Sequence, residues 1–289
     1  MPASVRPRRS ALYMPGSNPR AIEKARGLPT DVVILDLEDA VAPDAKDAAR
    51  AQVAAAVRDG GFGRREVVVR VNGLDTPWGF EDLRAAAQCG ADAVLLPKVE
   101  GADGICRAIA VLAASGAPDH QAVWCMMETP LAFLNAREIA AAHPRLAALV
   151  MGTSDLAKDL HAAHTRDRLP MVTSLGLCLL AARAYGLAAL DGVHIDLDDA
   201  EGLALSCRQG AELGFDGKTL IHPKQLDAAN TAFAPGEAEV ARARRIIQAH
   251  AEALAQGKGI TLVDGKLVEA LHVAEARRLV ALADAISAG

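Results

Sequence analysis

Short apolar runs recur along the chain, and several of them end in an ionisable residue. The clearest are VVILDLED (32–39), VVVRVN (67–72), VLLPK (94–98), VWCMMET (123–129) and LVMGTSD (149–155). Near-continuous apolar runs are typical of parallel strands that are covered by helices. Because the carboxyl ends of such strands share one mouth, the pattern predicts that charges distant in sequence converge on a single site.

Eight runs of this kind predict strands at residues 10–15, 31–39, 66–72, 92–99, 122–129, 148–154, 191–197 and 217–222. Ala-rich segments between them predict helices, for example at 18–28, 47–60, 78–90 and 174–186. Strand followed by helix, eight times, predicts a (β/α)8 TIM barrel. A doubly wound open sheet is the alternative, which is disfavoured because no GxGxxG follows the first strand.

The barrel accounts for residues 1–235, so residues 236–289 are predicted to be a C-terminal helical extension. Its sequence predicts two helices, at 237–257 and 267–286, joined by a polar loop at 257–266. Such an extension can pack on its own barrel, act as a lid or reach a neighbouring subunit.

Composition narrows the class of ligand. The 289 residues are 51% hydrophobic, which is enough for a large core, and the net charge of −5 disfavours nucleic acid and anionic membranes. The five cysteines form no CxxC pair, which disfavours a disulfide framework or zinc ribbon. With no signal-peptide or membrane-spanning segment in the sequence, we expect a cytoplasmic protein that binds small molecules.

Glu128 and Asp155 end consecutive predicted strands, so the barrel would bring them together. Two carboxylates with open positions suit Mg²⁺, which keeps waters and substrate oxygens among its ligands. The alternative is two ordinary loop acids, with Asp155 as the N-cap of the next helix.

Arg70 lies inside an apolar strand, where a solvated arginine is out of place, so it is predicted to face the mouth or pair with an acid. Strand alternation puts Asp36 and Glu38 on one face, with Asp39 past the strand end. We expect these acids to orient Arg70 or to hold waters around the metal.

Other candidates are weaker. Lys98, at the end of the fourth predicted strand, could form a Schiff base with a carbonyl substrate, but its neighbour Glu100 favours an ion pair.

At the N-terminus, MPGSNPRAIEKAR places a glycine turn before a helix that carries Arg20 and Lys24. This combination favours binding of phosphate groups and a solvated helix face equally. The segment FDGKTLIH fails as a phosphate loop because a strand follows where a helix is required.

Seven ordered blocks between residues 9 and about 235 resemble the HpcH/HpaI aldolase and citrate lyase β-subunit family, and within it the malyl-CoA and citramalyl-CoA lyases. They are RSALYMPGSNPRAIEKAR, VVILDLEDAVAPDAKDAAR, VVVRVNGLDTPWG, AVLLPKVEG, MMETPLAFLNAREIA, LVMGTSDLAKDL and FDGKTLIHPKQLDAAN. The resemblance implies a TIM barrel, Mg²⁺ (or Mn²⁺) and retro-Claisen cleavage of a malyl-CoA-type thioester to acetyl-CoA and a 2-oxo acid. It also implies a homo-oligomer, a trimer or dimer of trimers.

The resemblance assigns roles as well. It makes Glu128 and Asp155 the metal ligands, sets Arg70 on the reacting thioester, puts Glu38 and Asp39 beside metal-bound waters, and gives Arg20 and Lys24 to the CoA-binding edge. Related lyases use a C-terminal carboxylate, often Asp, delivered by a lid over a neighbouring subunit's mouth. Glu269 stands at the similar position here and is one methylene longer, which leaves the proton-transfer group open.

The sequence leaves several activities open. These are a malyl-CoA lyase, a citramalyl-CoA lyase, a citrate lyase β-like subunit that acts on an acyl-carrier thioester, and a malyl-CoA thioesterase. A non-catalytic CoA-binding protein is disfavoured by the joint presence of Glu128, Asp155 and Arg70.

Overall fold

The computed structural model describes residues 5–288, which form two compact units. Arg8–Phe233 makes the first unit, and residues 234–288 together with residues 5–7 make the second. The first unit is a closed barrel of parallel strands paired in chain order, with β8 next to β1. Its strands are β1 (Ser10–Pro15), β2 (Val32–Asp36), β3 (Glu66–Arg70), β4 (Ala93–Leu96), β5 (Ala122–Met127), β6 (Leu146–Met151), β7 (Ala188–Asp191) and β8 (Gly217–Leu220).

Helices alternate with these strands, so the predicted (β/α)8 TIM barrel is confirmed, as is the helical region that follows it. The helices of the first unit are α1 (Pro19–Ala25), α2 (Lys46–Asp59), α3 (Gly79–Cys89), α4 (Ala102–Ala114), α5 (Pro130–Leu134), α6 (Ala136–Ala140), α7 (Thr153–Asp159), α8 (Val172–Ala184), α9 (Ala200–Leu213) and α10 (Leu226–Ala232).

Alternation along each strand creates two cores. The inward-facing residues fill the barrel itself, with Trp124 set among small and branched side chains such as Ala11, Ala93 and Val68. The outward-facing residues pack under the helices, as Leu12, Val33 and Val94 do. The outward layer explains why the strands read as continuous apolar runs in the sequence.

An ion pair lies at the amino-terminal end of the barrel. Arg8 donates from Nε and Nη2 to the two carboxylate oxygens of Glu66 at 2.6 and 2.8 Å. Its guanidinium carbon also lies 5.0 Å from the centre of the Trp124 ring. This floor (Arg8, Glu66 and Trp124) is at the end opposite to the mouth.

Strand boundaries differ from the prediction most at β7, which the sequence placed at 191–197. The strand is Ala188–Asp191, and residues 192–197 form a loop. Val193, Ile195 and Leu197 alternate with polar residues as in a strand, yet Ile195 and Leu197 are exposed. The real strand is short and Ala-rich, and alanine has a weak strand preference. β2 is also shorter than predicted, so Glu38 as well as Asp39 lies past its end.

The second unit contains α11 (Glu237–Ala255), β9 (Thr261–Val263), β10 (Lys266–Val268) and α12 (Ala270–Ser287). Its core includes Ile246, Val263, Val268 and Val273. The polar loop predicted at 257–266 is in fact a β-hairpin, with Asp264 and Gly265 both at positive φ in its turn. Across residues 5–288, no helix has the length and apolar character that a membrane crossing requires.

Candidate active site

Polar side chains lie inside the barrel at the carboxyl ends of its first strands. Asp36 and Arg70 are direct partners in the β2–β3 register, and both continue the inward-facing rows of their strands. Tyr13 lies on the inward row of β1, and Glu128 is two positions beyond the inward-facing Met126 of β5. These four residues therefore share one mouth.

Arg70 is enclosed by three carboxylates. Its Nε and Nη2 donate to the two oxygens of Asp36 at 2.7 and 2.6 Å, a bidentate pair. Its Nη1 lies 2.8 Å from Glu38 Oε2 and 3.3 Å from Asp39 Oδ2. The guanidinium also lies over the Tyr13 ring, 4.8 Å from its centre. Burial acts to lower the pKa of Arg70, but the surrounding acids outweigh it and raise that pKa well above its usual value.

Glu38 and Asp39 have opposite pKa shifts. Burial raises the pKa of Glu38, although Arg70 and Lys98 oppose the shift. Burial acts in the same direction on the more exposed Asp39, but Arg70, a hydrogen bond with Glu38 and the charge of Lys98 together lower its pKa. Asp39 is therefore the more readily ionised of the two.

Glu128 is held in place by backbone. Its Oε1 accepts a hydrogen bond from the Lys98 N–H at 2.6 Å, and the residue is only 2% exposed. Its side chain lies directly against Gly152, where an added Cβ would be 2.5 Å from Glu128 Oε2. Burial raises the pKa of Glu128 to about 7; the Lys98 N–H opposes this shift, and the charges of Glu38 and Asp155 add to it.

Asp155 lies in the first turn of α7 and is partly exposed. The N-cap of that helix is Gly152, so the alternative prediction that Asp155 caps the helix is wrong. Lys158, one turn later, has its Nζ 3.8 Å from Asp155 Oδ1. Because the charge of Asp155 acts on the pKa of Glu128, the two carboxylates are within electrostatic range of each other.

The residues present fit Mg²⁺. The part of the chain that the structure describes contains no group of three or more His, Cys, Asp or Glu side chains suited to hold a metal. Mg²⁺ usually takes only one or two carboxylates and keeps several waters. Glu128 offers a buried carboxylate whose ionised form is disfavoured by its surroundings, and a cation beside it would favour that form. Glu128 and Asp155 would be its ligands.

The proximity of Lys98 and Glu100 in sequence led us to predict an ion pair between them, and this prediction is wrong. Lys98 Nζ lies 2.7 Å from Glu38 Oε1 instead. Lys98 has a φ of 48°, and its main chain donates to Glu128 while its side chain pairs with Glu38. An ammonium held on a carboxylate is protonated, and its pKa is raised by Glu38 despite burial, so a Schiff-base role is disfavoured.

Two of the remaining predicted site residues are on α1, and the third belongs to the second unit. Arg20 and Lys24 are exposed on α1, one turn apart, and the amino end of α1 is capped by the Asn18 side chain, which accepts from the Ala21 N–H. Glu269 is in the second unit, where it is the N-cap of α12 and exchanges hydrogen bonds with His272.

Sequence reasoning missed Tyr13 as a member of the cluster and missed the partner of Lys98. Tyr13 was treated only as part of a strand, although its inward position follows from the alternation of β1. The pairing of Lys98 with Glu38 spans 60 positions and had no sequence signal. Asp36 was expected to orient Arg70 or to hold metal-bound waters, and it is the bidentate partner of Arg70.

A second buried charge cluster lies on the outward side of β7 and β8. Asp191 Oδ2 is 2.9 Å from Lys218 Nζ, and Arg168 Nη1 is 2.7 Å from both Asp191 oxygens. Asp191 and Lys218 are both fully buried. Burial lowers the pKa of Lys218, with Asp191 opposing the shift. These residues hold strands and helices together and do not line the mouth.

The fold and the cluster around Arg70 define a TIM-barrel protein with an acidic, arginine-containing mouth at the carboxyl ends of its strands. The model of the HpcH/HpaI aldolase/citrate lyase family matches residues 9–223, and the chain belongs to this family, which confirms the resemblance.

Two full-length relatives and one solved structure are informative. The (3S)-malyl-CoA thioesterase of Cereibacter sphaeroides (strain KD131) is 52% identical over 288 residues, covering 100% of this chain and 99% of the relative. An L-malyl-CoA/beta-methylmalyl-CoA lyase of Cereibacter sphaeroides is 34% identical over 311 residues, covering 99% and 98%. The crystal structure of CitE from Mycobacterium tuberculosis with magnesium, acetoacetate and coenzyme A has a TM-score of 0.75 and 32% identity, covering 95% and 97%.

Proposed function

We propose that this protein hydrolyses a malyl-CoA thioester to malate and free CoA at the mouth of the barrel, with Mg²⁺ held by Glu128 and Asp155. The observation that carries the proposal is the 52% identity, over the whole chain, to a (3S)-malyl-CoA thioesterase. The lyase relative is only 34% identical. The comparisons thus favour the hydrolytic alternative over the carbon–carbon cleavage that the sequence led us to expect.

Hydrolysis breaks the bond between the acyl carbon and sulfur. The oxygen of a water molecule bonds to the acyl carbon, the sulfur leaves as CoA thiolate and takes up a proton, and malate keeps the new carboxylate. When bound, Mg²⁺ would supply a Lewis acid for the substrate oxygens.

The role proposed for Arg70 is to stabilise negative charge that develops on the thioester oxygen. A guanidinium has five N–H groups, and three of them donate to Asp36 and Asp39. Glu38 Oε2 lies 2.8 Å from Nη1 without accepting a hydrogen bond, and the second N–H of Nη2 remains for a substrate oxygen. Preorganised donors of this kind contribute about 2 to 4 kcal/mol of transition-state stabilisation.

Carbon–carbon cleavage is the second candidate, supported by the lyase relative and by the family as a whole. That reaction also puts negative charge on the thioester oxygen, as an enolate. One arrangement of Arg70 therefore serves both reactions, and the products must distinguish them. Arg20 and Lys24 are our proposed contacts for the CoA phosphates, and Glu269 our proposed proton-transfer group.

The test is a product analysis with L-malyl-CoA, in the presence of Mg²⁺, Mn²⁺ or EDTA. Free CoA and malate in equal amounts, without glyoxylate, would support hydrolysis. Acetyl-CoA and glyoxylate in equal amounts would support the lyase instead. Activity that resists EDTA would overturn the metal site, and inactivity towards malyl-CoA, citramalyl-CoA and an acyl-carrier thioester would overturn both candidates.

A further inference from the structure

Lys98 connects two carboxylates of the mouth through two different groups. Its main-chain N–H donates to Glu128 Oε1 at 2.6 Å, and its ammonium donates to Glu38 Oε1 at 2.7 Å. The backbone of Lys98 adopts a φ of 48°, which is unfavourable for any residue other than glycine. Such a conformation persists only where the surroundings hold it in place.

Each oxygen of Glu38 faces a cation of the protein, but only Oε1 accepts a hydrogen bond among the described residues. Lys98 takes Oε1, and Arg70 Nη1 lies 2.8 Å from Oε2. Glu38 is nevertheless near the metal ligands, because the residue that binds it also binds Glu128. Its charge acts on Glu128 more strongly than the charge of Asp155 does. Glu38 is therefore the carboxylate best placed to become a third ligand if one of its oxygens were released.

We propose that Lys98 is a positioning residue that keeps Glu38 from coordinating the metal and so preserves open coordination positions for water and substrate. The inference rests on the proposed function, since it takes Glu128 and Asp155 as the metal ligands. Lys98 suits this task because its side chain is 50% exposed whereas that of Glu38 is 9% exposed. The ammonium covers Glu38 from the solvent side without being buried itself.

The test is Mn²⁺ binding to the purified protein without substrate, with free Mn²⁺ followed by electron paramagnetic resonance and exchangeable waters on the bound ion by water-proton relaxation. In Lys98→Met the ammonium is lost, and the main-chain N–H to Glu128 is kept. We expect Mn²⁺ to bind about tenfold more tightly, since one positive charge leaves the site and one carboxylate oxygen becomes available. We also expect about one fewer exchangeable water on the ion.

Three variants separate this mechanism from a general charge effect. Lys158→Met removes an ammonium that lies 3.8 Å from Asp155 Oδ1 and 3.3 Å from Asp159 Oδ1 but leaves the pairing of Lys98 with Glu38 intact, so its water count should equal that of the wild type. In the double variant Lys98→Met/Glu38→Gln the lost water should return, because an amide is a much poorer ligand than a carboxylate. Lys98→Arg keeps the charge and should bind Mn²⁺ as the wild type does.

The outcomes distinguish the two proposals. A wild-type protein that does not bind Mn²⁺ would overturn the proposed metal site and this inference with it. Mn²⁺ binding by the wild type, with weaker or unchanged affinity or an unchanged water count in Lys98→Met, would overturn the role of Lys98 alone. Thermal unfolding of each variant establishes that the barrel is intact.

Discussion

At the scale of single residues, the site depends on how tightly Arg70 is oriented. Asp36 holds one edge of the guanidinium with two short hydrogen bonds, and Tyr13 lies against its face. A planar guanidinium can donate two parallel hydrogen bonds to Asp36 while its face lies on the Tyr13 ring. A lysine ammonium has a single charged nitrogen and no plane, so it cannot do both. The geometry of Arg70, and not only its charge, is what the surrounding residues fix.

We therefore predict that Arg70→Lys lowers kcat by about 10²- to 10³-fold, the effect of losing one oriented donor. The measurement is steady-state turnover of malyl-CoA, with circular dichroism to show that the fold is kept. Arg8→Lys is the matched control, because Arg8 also makes a bidentate pair with a carboxylate, that of Glu66, but at the end of the barrel opposite to the mouth. Near-normal turnover by Arg70→Lys would refute the role of the planar guanidinium.

Gly152 lets the barrel place Glu128 correctly. Any side chain at this position collides with the Glu128 carboxylate, so we predict that Gly152→Ala displaces it and lowers turnover by about 100-fold. Mn²⁺ affinity, measured by titration, should fall as well. Gly176→Ala on α8 is the control, since an added Cβ there meets no atom within 4 Å, and its turnover should be unchanged. Equal behaviour of the two variants would contradict the packing argument.

The raised pKa of Glu128 makes stability depend on pH. Its folded-state pKa is about 7 against an ordinary value of 4.5, so the folded protein binds this proton more tightly than the unfolded chain does. The resulting stabilisation is fully present below pH 4.5 and is lost as the pH rises through 7. In EDTA we expect Glu128→Gln to melt above the wild type at pH 8, and this advantage to shrink steadily towards pH 5. Thermal unfolding across that range checks it; a pH-independent difference would argue against the shift.

At the scale of elements, the sequence predicted those that have a strong pattern. Seven predicted strands coincide with the observed ones over most of their length because their outward residues pack under helices, which leaves apolar runs such as VVILD and EVVVR. The exception, β7, carries two alanines and a buried aspartate and so lacks that pattern. The hairpin of the second unit had a usable signal, since an Asp-Gly pair between two short apolar runs is typical of a tight turn.

The charges that support β7 and β8 yield a prediction about stability. Asp191→Asn leaves Lys218 and Arg168 without their carboxylate in a buried setting, and breaking such a pair typically costs about 3 to 5 kcal/mol. The free energy of unfolding in urea measures this loss. Glu201→Gln, which breaks an exposed pair with Arg166, should change the same quantity by no more than about 1 kcal/mol. A small effect of Asp191→Asn would mean that the buried cations find other partners.

At the scale of the whole molecule, the barrel explains why so much of the site could be predicted. Parallel strands bring Arg70, Glu38, Asp39 and Glu128 to one mouth from positions up to 90 residues apart, and the strand-end pattern was sufficient to select them. The partners within the mouth could not be predicted. The choice of acid by Arg70 depends on loop conformations. The contact of Lys98 with Glu38 depends on them too, in particular on the positive φ of Lys98.

The family resemblance implies that Glu269 acts on a neighbouring subunit, and we propose to test this by mixing two variants. If each mouth takes Glu269 from another copy, then Arg70→Lys and Glu269→Ala variants, each nearly inactive, should regain turnover when their subunits are exchanged. Light scattering gives the number of subunits in the assembly. Full activity of Glu269→Ala alone would remove it as the proton-transfer group, and inactivity of the mixture would place its action within one chain.

The floor formed by Arg8, Glu66 and Trp124 closes the end of the barrel away from the mouth. Its hydrogen bonds involve none of the residues that we assign to chemistry or to the metal. We therefore expect substitutions of Arg8 or Glu66 to change heat resistance more than catalytic selectivity. Directed evolution can alter the floor to improve shelf life while a second library, confined to the mouth, tests which thioesters are accepted.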